Sequence, residues 1–310
     1  MLLKRLMWLL VFVIFGAIAV DYVKKNDVSL DDKIDEVINF LEETTTEQMA
    51  AVTKEPLNSE IVPVDSALQK EPSDLVSTAE EIASAVLYYA TRYEERFTIE
   101  FKGDTAQLES LIQQAYTILE QQDPYIYGHL SDRNIEFSYT SRRATLNFYQ
   151  QYLTNYEQER LVNGKVQAIL KTVDTNKMTD YDKVKFVNDY IVQHTVYSEA
   201  TVASPHSAYA VLYEGKGVCQ GYALLAYKML DEMGVKNLYI TGEVPDGGHA
   251  WNMVKLDGHW YHLDTTWNDP LPDRGLGVSY NYFLISDSQL QKDHAWDIAK
   301  YPRAESTYSF

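Results

Sequence analysis

Residues 249–267 read HAWNMVKLDGHWYHLDTTW, and the Asp257-Gly258 pair inside them constrains the fold more than any other stretch. Asp-Gly between two strand-like runs is a strong signal for a two-residue hairpin, because both turn positions need positive φ. Such a turn also sets the register. It pairs Leu256 with His259, Lys255 with Trp260, Met253 with His262, Trp251 with Asp264 and His249 with Thr266. Side chains alternate along a strand, so a slip of one residue would send these partners to opposite faces. In this register His249 and Asp264 share a face as diagonal neighbours, about 7–8 Å apart in the backbone. An imidazole–carboxylate hydrogen bond can close that gap.

The chain has one cysteine, in GKGVCQGYALLAYKMLDEMG, residues 215–234. Tyr222, Leu225, Ala226, Met229, Leu230 and Met233 recur at helical spacing, and Gly234 is a helix stop. A helix beginning at Cys219 aims its free N–H groups at the sulfur and favours thiolate. Gly217 and Gly221 are expected to keep the approach to the thiol open. Lys216 either supports the thiolate or is a solvated turn lysine. A lone cysteine is more often a small buried hydrophobe. A base and an orienting acid beside it change the balance. Cys219, His249 and Asp264 together follow the nucleophile, base and orienter logic of acyl transfer. The Cys219 N–H is one candidate oxyanion donor, and the second is unassigned.

The formal charge of −18 excludes nucleic acid and anionic lipid as favoured partners, because the overall field repels polyanions. At the N-terminus, Lys4 and Arg5 precede an uncharged run from Leu6 to Val20. That run is short for a spanning helix, which needs roughly 17–25 residues. It fits a signal-peptide core, with Ala17-Ile18-Ala19 as a cleavage site, or an uncleaved anchor beginning at Leu2. Residues 1–20 are therefore read as a signal peptide or membrane anchor, with the rest of the chain outside the cytoplasm: at the cell membrane if uncleaved, secreted if cleaved. An exported chain with a single cysteine has no intramolecular disulfide, so the thiol is either buried or used.

Residues 21–74 are acidic and polar, with Pro56, Pro63 and Pro72 spaced through them, and read as a tether. Residues 75–155 read as a small α+β unit. Ser77-Thr78-Ala79-Glu80 is a capping-box pattern, and Leu75, Ala79, Ile82, Val86, Tyr89 and Tyr93 fall at helical spacing. Phe97, Ile99 and Phe101 alternate as in a strand. Leu108, Leu111, Ala115 and Ile118 make a second helix, and strands follow at 135–139 and 146–152. From 157 the pattern predicts helices at 157–173, 180–195 and 206–213, the Cys219 helix, and strands near 237–243, 249–255, 259–266 and 280–285.

The strings GKGVCQGYA, HAWNMV and WYHLDTTWND closely resemble the transglutaminase-like superfamily, in its microbial branch. The resemblance extends to DYDKVKFVNDYIVQHTVY and HSAYAVLYEGKGVC upstream and YFLISDSQLQKDHAW downstream, and covers roughly residues 157–300. It implies an α+β fold with a papain-like core, helices packed on an antiparallel sheet, over 157–310. It implies the catalytic residues Cys219, His249 and Asp264. It implies a thioester route on amide bonds of a protein, peptide or cell-envelope substrate, as peptidase or amidase, deamidase or cross-linker. A non-catalytic cell-surface interaction module on the same fold is the alternative.

The remaining candidates carry blander expectations. His262 lies on the face of Asp264 and competes with His249 for the role of base; the HAWN string favours His249. His206 is expected at the surface or in packing. His259 and His262 lack an HExxH pattern or a second cysteine, so neither a metal nor a cofactor is expected. No calcium loop is present. Trp251 and Trp267 either wall a cleft or fill the core.

Overall fold

The computed structural model describes residues 71–73, 75–270 and 277–309. They lie in one compact unit, Ile61–Phe310, while a second unit, Met1–Glu60, falls outside the described residues. The expected signal or anchor at 1–20 and nearly all of the tether at 21–74 therefore lie outside them too. Among the described residues no helix is long and apolar enough to cross a membrane.

The first sheet is built from β1 (Leu75–Val76), β2 (Arg96–Lys102), β3 (Leu130–Tyr139) and β4 (Arg143–Tyr152), in the order β1-β2-β4-β3. In β2, Phe97, Ile99 and Phe101 are buried and their neighbours exposed, so one face is apolar. They pair with Phe148, Leu146 and Ala144 of β4. Helices α1 (Ala79–Ala90) and α2 (Leu108–Gln122) cover that face through Ile82, Val86, Ala115 and Leu119. The cap of α1 is Thr78, which accepts from the Glu81 N–H, and the Glu81 carboxylate returns to Ser77 N at 2.6 Å. The cap is thus Thr78 rather than Ser77, and the acid that returns to the backbone, at Ser77, is Glu81 rather than Glu80. Leu75, expected on the helix, instead pairs in parallel with Glu100. The short helix α3 (Pro124–His129), capped by Asp123, was not evident from periodicity because six residues span less than two turns.

Beyond residue 155 come α4 (Tyr156–Leu170) and α5 (Asp180–His194), opened by Asn155–Gln158 and Thr179–Asp182 capping boxes. Strands β5 (Val196–Tyr197) and β6 (Lys216–Gly217) pair in parallel just before α6 (Cys219–Glu232). The helical turn expected at 206–213 is shifted towards the glycine: a wide π-type turn spans Ala210–Glu214 and ends on Gly215 at φ 62°. The second sheet holds β7 (Asn237–Val244), β8 (Gly247–Leu256), β9 (His259–Leu263) and β10 (Phe283–Ile285), all antiparallel in the order β10-β9-β8-β7. A final short helix, α7, spans Asp287–Leu290.

Both faces of this sheet are covered. Val254, Leu256 and Leu263 meet Val187 and Ile191 of α5 and Leu224 and Met229 of α6. Ile240, Trp251 and Met253 meet Ile285, Leu290 and Ala304 on the other side. That double cover explains why β8 is buried without interruption from His249 to Val254. The architecture is the expected α+β one, with helices packed on an antiparallel sheet.

The segment 75–155 packs within the same unit as α6. Gln220 Nε2 donates to the Gly128 carbonyl across 2.8 Å. Tyr125 belongs to the core formed by α4, α5 and α6, and its hydroxyl donates to Glu159 Oε1 at 2.6 Å. Lys228 of α6 reaches the same carboxylate at 3.0 Å and lies 4.2 Å over the Tyr125 ring. Burial pushes the Glu159 carboxyl up, but Lys228, His129 and the Tyr125 hydroxyl outweigh it and hold the carboxyl below its usual range.

Candidate active site

Asp257 at φ 50° and Gly258 at φ 86° form the two-residue turn, and its ladder is the one its length requires. Leu256 pairs with His259, Lys255 with Trp260 and Met253 with His262. The ladder ends at Asn252 with Leu263, so the expected pairs Trp251–Asp264 and His249–Thr266 do not form, and Asp264 lies just beyond the end of β9. Its carboxylate turns back over the sheet end and accepts from His249 Nε2 at 2.8 Å. The other carboxylate oxygen accepts the backbone N–H groups of Thr266 and Trp267 at 2.9 and 3.1 Å.

Cys219 is the first residue of α6, after the extended Val218, and is partly exposed. Its side chain lies close enough to the His249 imidazole to act on it. Nε2 is committed to Asp264, which leaves Nδ1 as the ring nitrogen open to the sulfur. Burial pulls the His249 imidazole down. The hydrogen bonds to Asp264 and Cys219, and the charges of both, more than reverse this and push it up to about 9. Burial raises Asp264, but hydrogen bonds from His249 and His294 dominate and hold it below the usual carboxylate range. Cys219, His249 and Asp264 are therefore contiguous.

Gly217 and Gly221 have a different task from the one expected. A Cβ on Gly217 would sit 2.5 Å from Val211 Cγ2 and 3.0 Å from the Pro205 carbonyl; on Gly221 it would sit 2.8 Å from the Ser207 carbonyl. Both glycines let the helix start pack against segment 205–211, and Val218 N–H donates to the same Pro205 carbonyl. The thiol is positioned by that close approach.

His262 does not compete for Cys219. Its Nδ1 accepts from the Trp251 indole at 3.0 Å and its Nε2 donates to Asp287 at 2.9 Å. His206, His259 and Lys216 are exposed. Trp251 is buried and stacks on His249 with ring centroids 5.9 Å apart, while the half-buried Trp267 lies 5.9 Å from His249 and 4.5 Å from His294.

His294 was not singled out from sequence. It is buried, and its Nε2 lies 3.2 Å from the Asp264 oxygen that His249 uses. Only its place in a Lys-Asp-His-Ala-Trp string, a histidine beside an acid and an aromatic, marked it. Among the described residues, His249, Asp264 and His294 bring one potential metal-ligand atom each within 4.8 Å of one another. Chelation there would require breaking both histidine bonds to Asp264, so the group reads as a hydrogen-bonded cluster.

Residues 167–265 match the family described as the Transglutaminase-like superfamily, a span that contains Cys219, His249 and Asp264. The mouse kyphoscoliosis peptidase is 30% identical over 152 residues, covering 41% of this chain and 23% of the relative, and the human protein of that name matches to the same extent. The chain thus spans about a quarter of the length of these curated relatives. Among solved structures, a crystal structure of a TGase aligns with a TM-score of 0.32 and 14% identity, over 56% of this chain and 51% of that one. The superfamily match and the helix-on-sheet core together give this region a transglutaminase-like, papain-like fold.

Proposed function

We propose that this chain is a cysteine enzyme that acts on amide bonds through a thioester, with Cys219 as nucleophile, His249 as acid–base group and Asp264 as its orienter. One observation supports the reading: a single imidazole is bonded through Nε2 to a buried carboxylate and lies close enough to Cys219 for the thiol to raise it. His249 takes the proton of Cys219, and the thiolate attacks the amide carbonyl carbon. The negative charge that develops on oxygen is opposed by the N-terminus of α6, including the Cys219 N–H. His249 returns the proton to the departing amine, the C–N bond breaks and a thioester remains. Water or an amine then attacks the thioester, gives its proton to His249 and releases the thiol. An imidazole held up at about 9 is charged at neutral pH.

A protein, peptide or cell-envelope amide is the proposed substrate class, and the word peptidase in the names of the matched relatives supports it. The Lys4-Arg5 signal supports placement outside the cytoplasm, tethered or secreted. Protease added to intact cells after removal of any wall should digest residues beyond 25; complete protection until lysis would rule that placement out.

The chemical test is alkylation of Cys219 near neutral pH. Wild type should label faster than a free thiol. His249→Ala should label far more slowly, and His262→Ala should slow labelling less. Intact-mass scanning against peptides, wall fragments and amines should find an acyl adduct on Cys219. Equal labelling of wild type and His249→Ala would mean an accessible thiol only, and the interaction-module reading would replace this one.

A further inference from the structure

His249 is one of two imidazoles on Asp264. The same carboxylate oxygen accepts from His249 at 2.8 Å and from His294 at 3.2 Å. The other ring nitrogen of His294, Nδ1, lies 2.7 Å from Asp293 Oδ1, and the Tyr282 hydroxyl donates to the second Asp293 oxygen at 2.6 Å. Carboxylate oxygens accept hydrogen bonds and do not donate them. Each ring nitrogen of His294 thus faces a carboxylate oxygen. Its side chain is fully buried, whereas that of Asp293 is 30% exposed.

Delivery of His294 to this place is specific. The segment that carries it docks on β7 through two backbone bonds, Glu243 N–H to Ala295 O at 2.8 Å and Ala295 N–H to Glu243 O at 2.9 Å. The approach is close enough that a Cβ on Gly242 would sit 2.3 Å from the Ala295 oxygen. Trp251, Trp267 and Tyr282 then enclose the ring, with centroids 5.3, 4.5 and 5.6 Å away.

We propose that His294, charged by its contact with Asp293, is a positioning residue: it fixes the Asp264 carboxylate for His249 and offsets part of its negative charge. The inference rests on the reading of Cys219 and His249 given above. Among the described residues, the ionisable groups around His294 are Asp264, Asp293, Tyr282, His249 at 5.2 Å between ring centroids and, one ring further, His262 with its partner Asp287. With His294 charged, the field of Asp264 at His249 is partly cancelled. Without that charge, His249 holds its proton more tightly, and the thiolate forms against a more negative background. Both effects move the reactive state of Cys219 to higher pH.

The test is the pH profile of Cys219 alkylation by iodoacetamide in the full chain, for wild type, His294→Gln and Asp293→Asn. Gln keeps a donor for Asp264 but no charge, and the profile should move to higher pH by about one unit or more, given a charge 5–6 Å away. Asp293→Asn gives a sign that a packing role cannot. Removing a negative charge would by itself move the profile to lower pH. If it also lets His294 shed a proton, the nearer charge is lost and the profile moves up instead. A wild-type profile in folded His294→Gln overturns the proposal, and so does a downward or absent shift in Asp293→Asn. The second variant, at a partly exposed side chain, decides the matter if the first does not fold. Failure of the underlying enzyme reading shows up separately, as equal labelling of wild type and His249→Ala.

Discussion

Trp251 donates its indole N–H to Nδ1 of His262 across 3.0 Å, and that bond separates two histidines that sequence alone leaves in competition. An acceptor nitrogen carries no hydrogen, so His262 is neutral with its proton on Nε2, facing Asp287 at 2.9 Å. Burial drives the ring down to about 4 and outweighs the upward pull of Asp287. His262 thus anchors the tryptophan that floors His249.

Acid stability follows from that anchor. A histidine at about 4 when folded and about 6.5 when unfolded stabilises the fold fully above 6.5. As pH falls through 4, the unfolded chain takes up the proton first and the contribution is lost, at most about 3 kcal/mol. His249 has the opposite sign: raised to about 9, its contribution is complete below 6.5 and is lost as pH rises through 9. Urea midpoints at several pH values should show His262→Gln flattening the acid side and His249→Gln flattening the alkaline side. An unchanged acid slope in His262→Gln would refute the assignment.

Asp264→Asn should keep the fold while crippling turnover. The amide oxygen can still accept from Thr266 and Trp267, but its NH₂ would face two imidazole N–H groups. One ring must change tautomer to relieve the clash. Turnover should fall on the order of 10²–10⁴-fold, with far-UV circular dichroism unchanged, and steady-state kinetics on any substrate found by the adduct scan checks this.

Gly221→Ala places a methyl 2.8 Å from the Ser207 carbonyl, a backbone atom that cannot swing away. Overpacking of this kind costs about 1–3 kcal/mol. Because the clash lies two residues from Cys219, thiol labelling should slow together with the loss of melting temperature. Gly164→Ala is the control, since a Cβ there meets nothing within 4 Å.

Lys228→Met strands the Glu159 carboxylate, whose side chain is 2% exposed. Breaking a buried pair from one side costs about 3–5 kcal/mol. The double variant Lys228→Met with Glu159→Leu should recover much of that loss, and chemical denaturation of both reads the difference. Equal stability of single and double variants would mean that the charge escapes to water.

What the sequence made legible is local. Asp257-Gly258 dictates a register, and the register puts His249 and Asp264 on one face, because turn length and strand period are both short-range properties. The helix from Cys219 to Glu232, closed by Gly234, was readable for the same reason. Contacts between residues distant in sequence were not readable. Gln220 meets Gly128, 92 positions away, and His294 meets Asp264 only because Gly242 admits Ala295. Gly217 and Gly221 look like openings for a substrate until the carbonyls of Pro205 and Ser207 are seen against them. A glycine states that something comes close but not what.

The strap between Glu243 and Ala295 is made of main-chain hydrogen bonds, and main chain is common to all residues except proline as donor. Its docking therefore does not depend on which side chain stands at position 294. That position is a socket beside Asp264 whose frame is main chain and whose content is the side chain. On the proposal made above, the working pH of the thiol is set at a residue that never touches it.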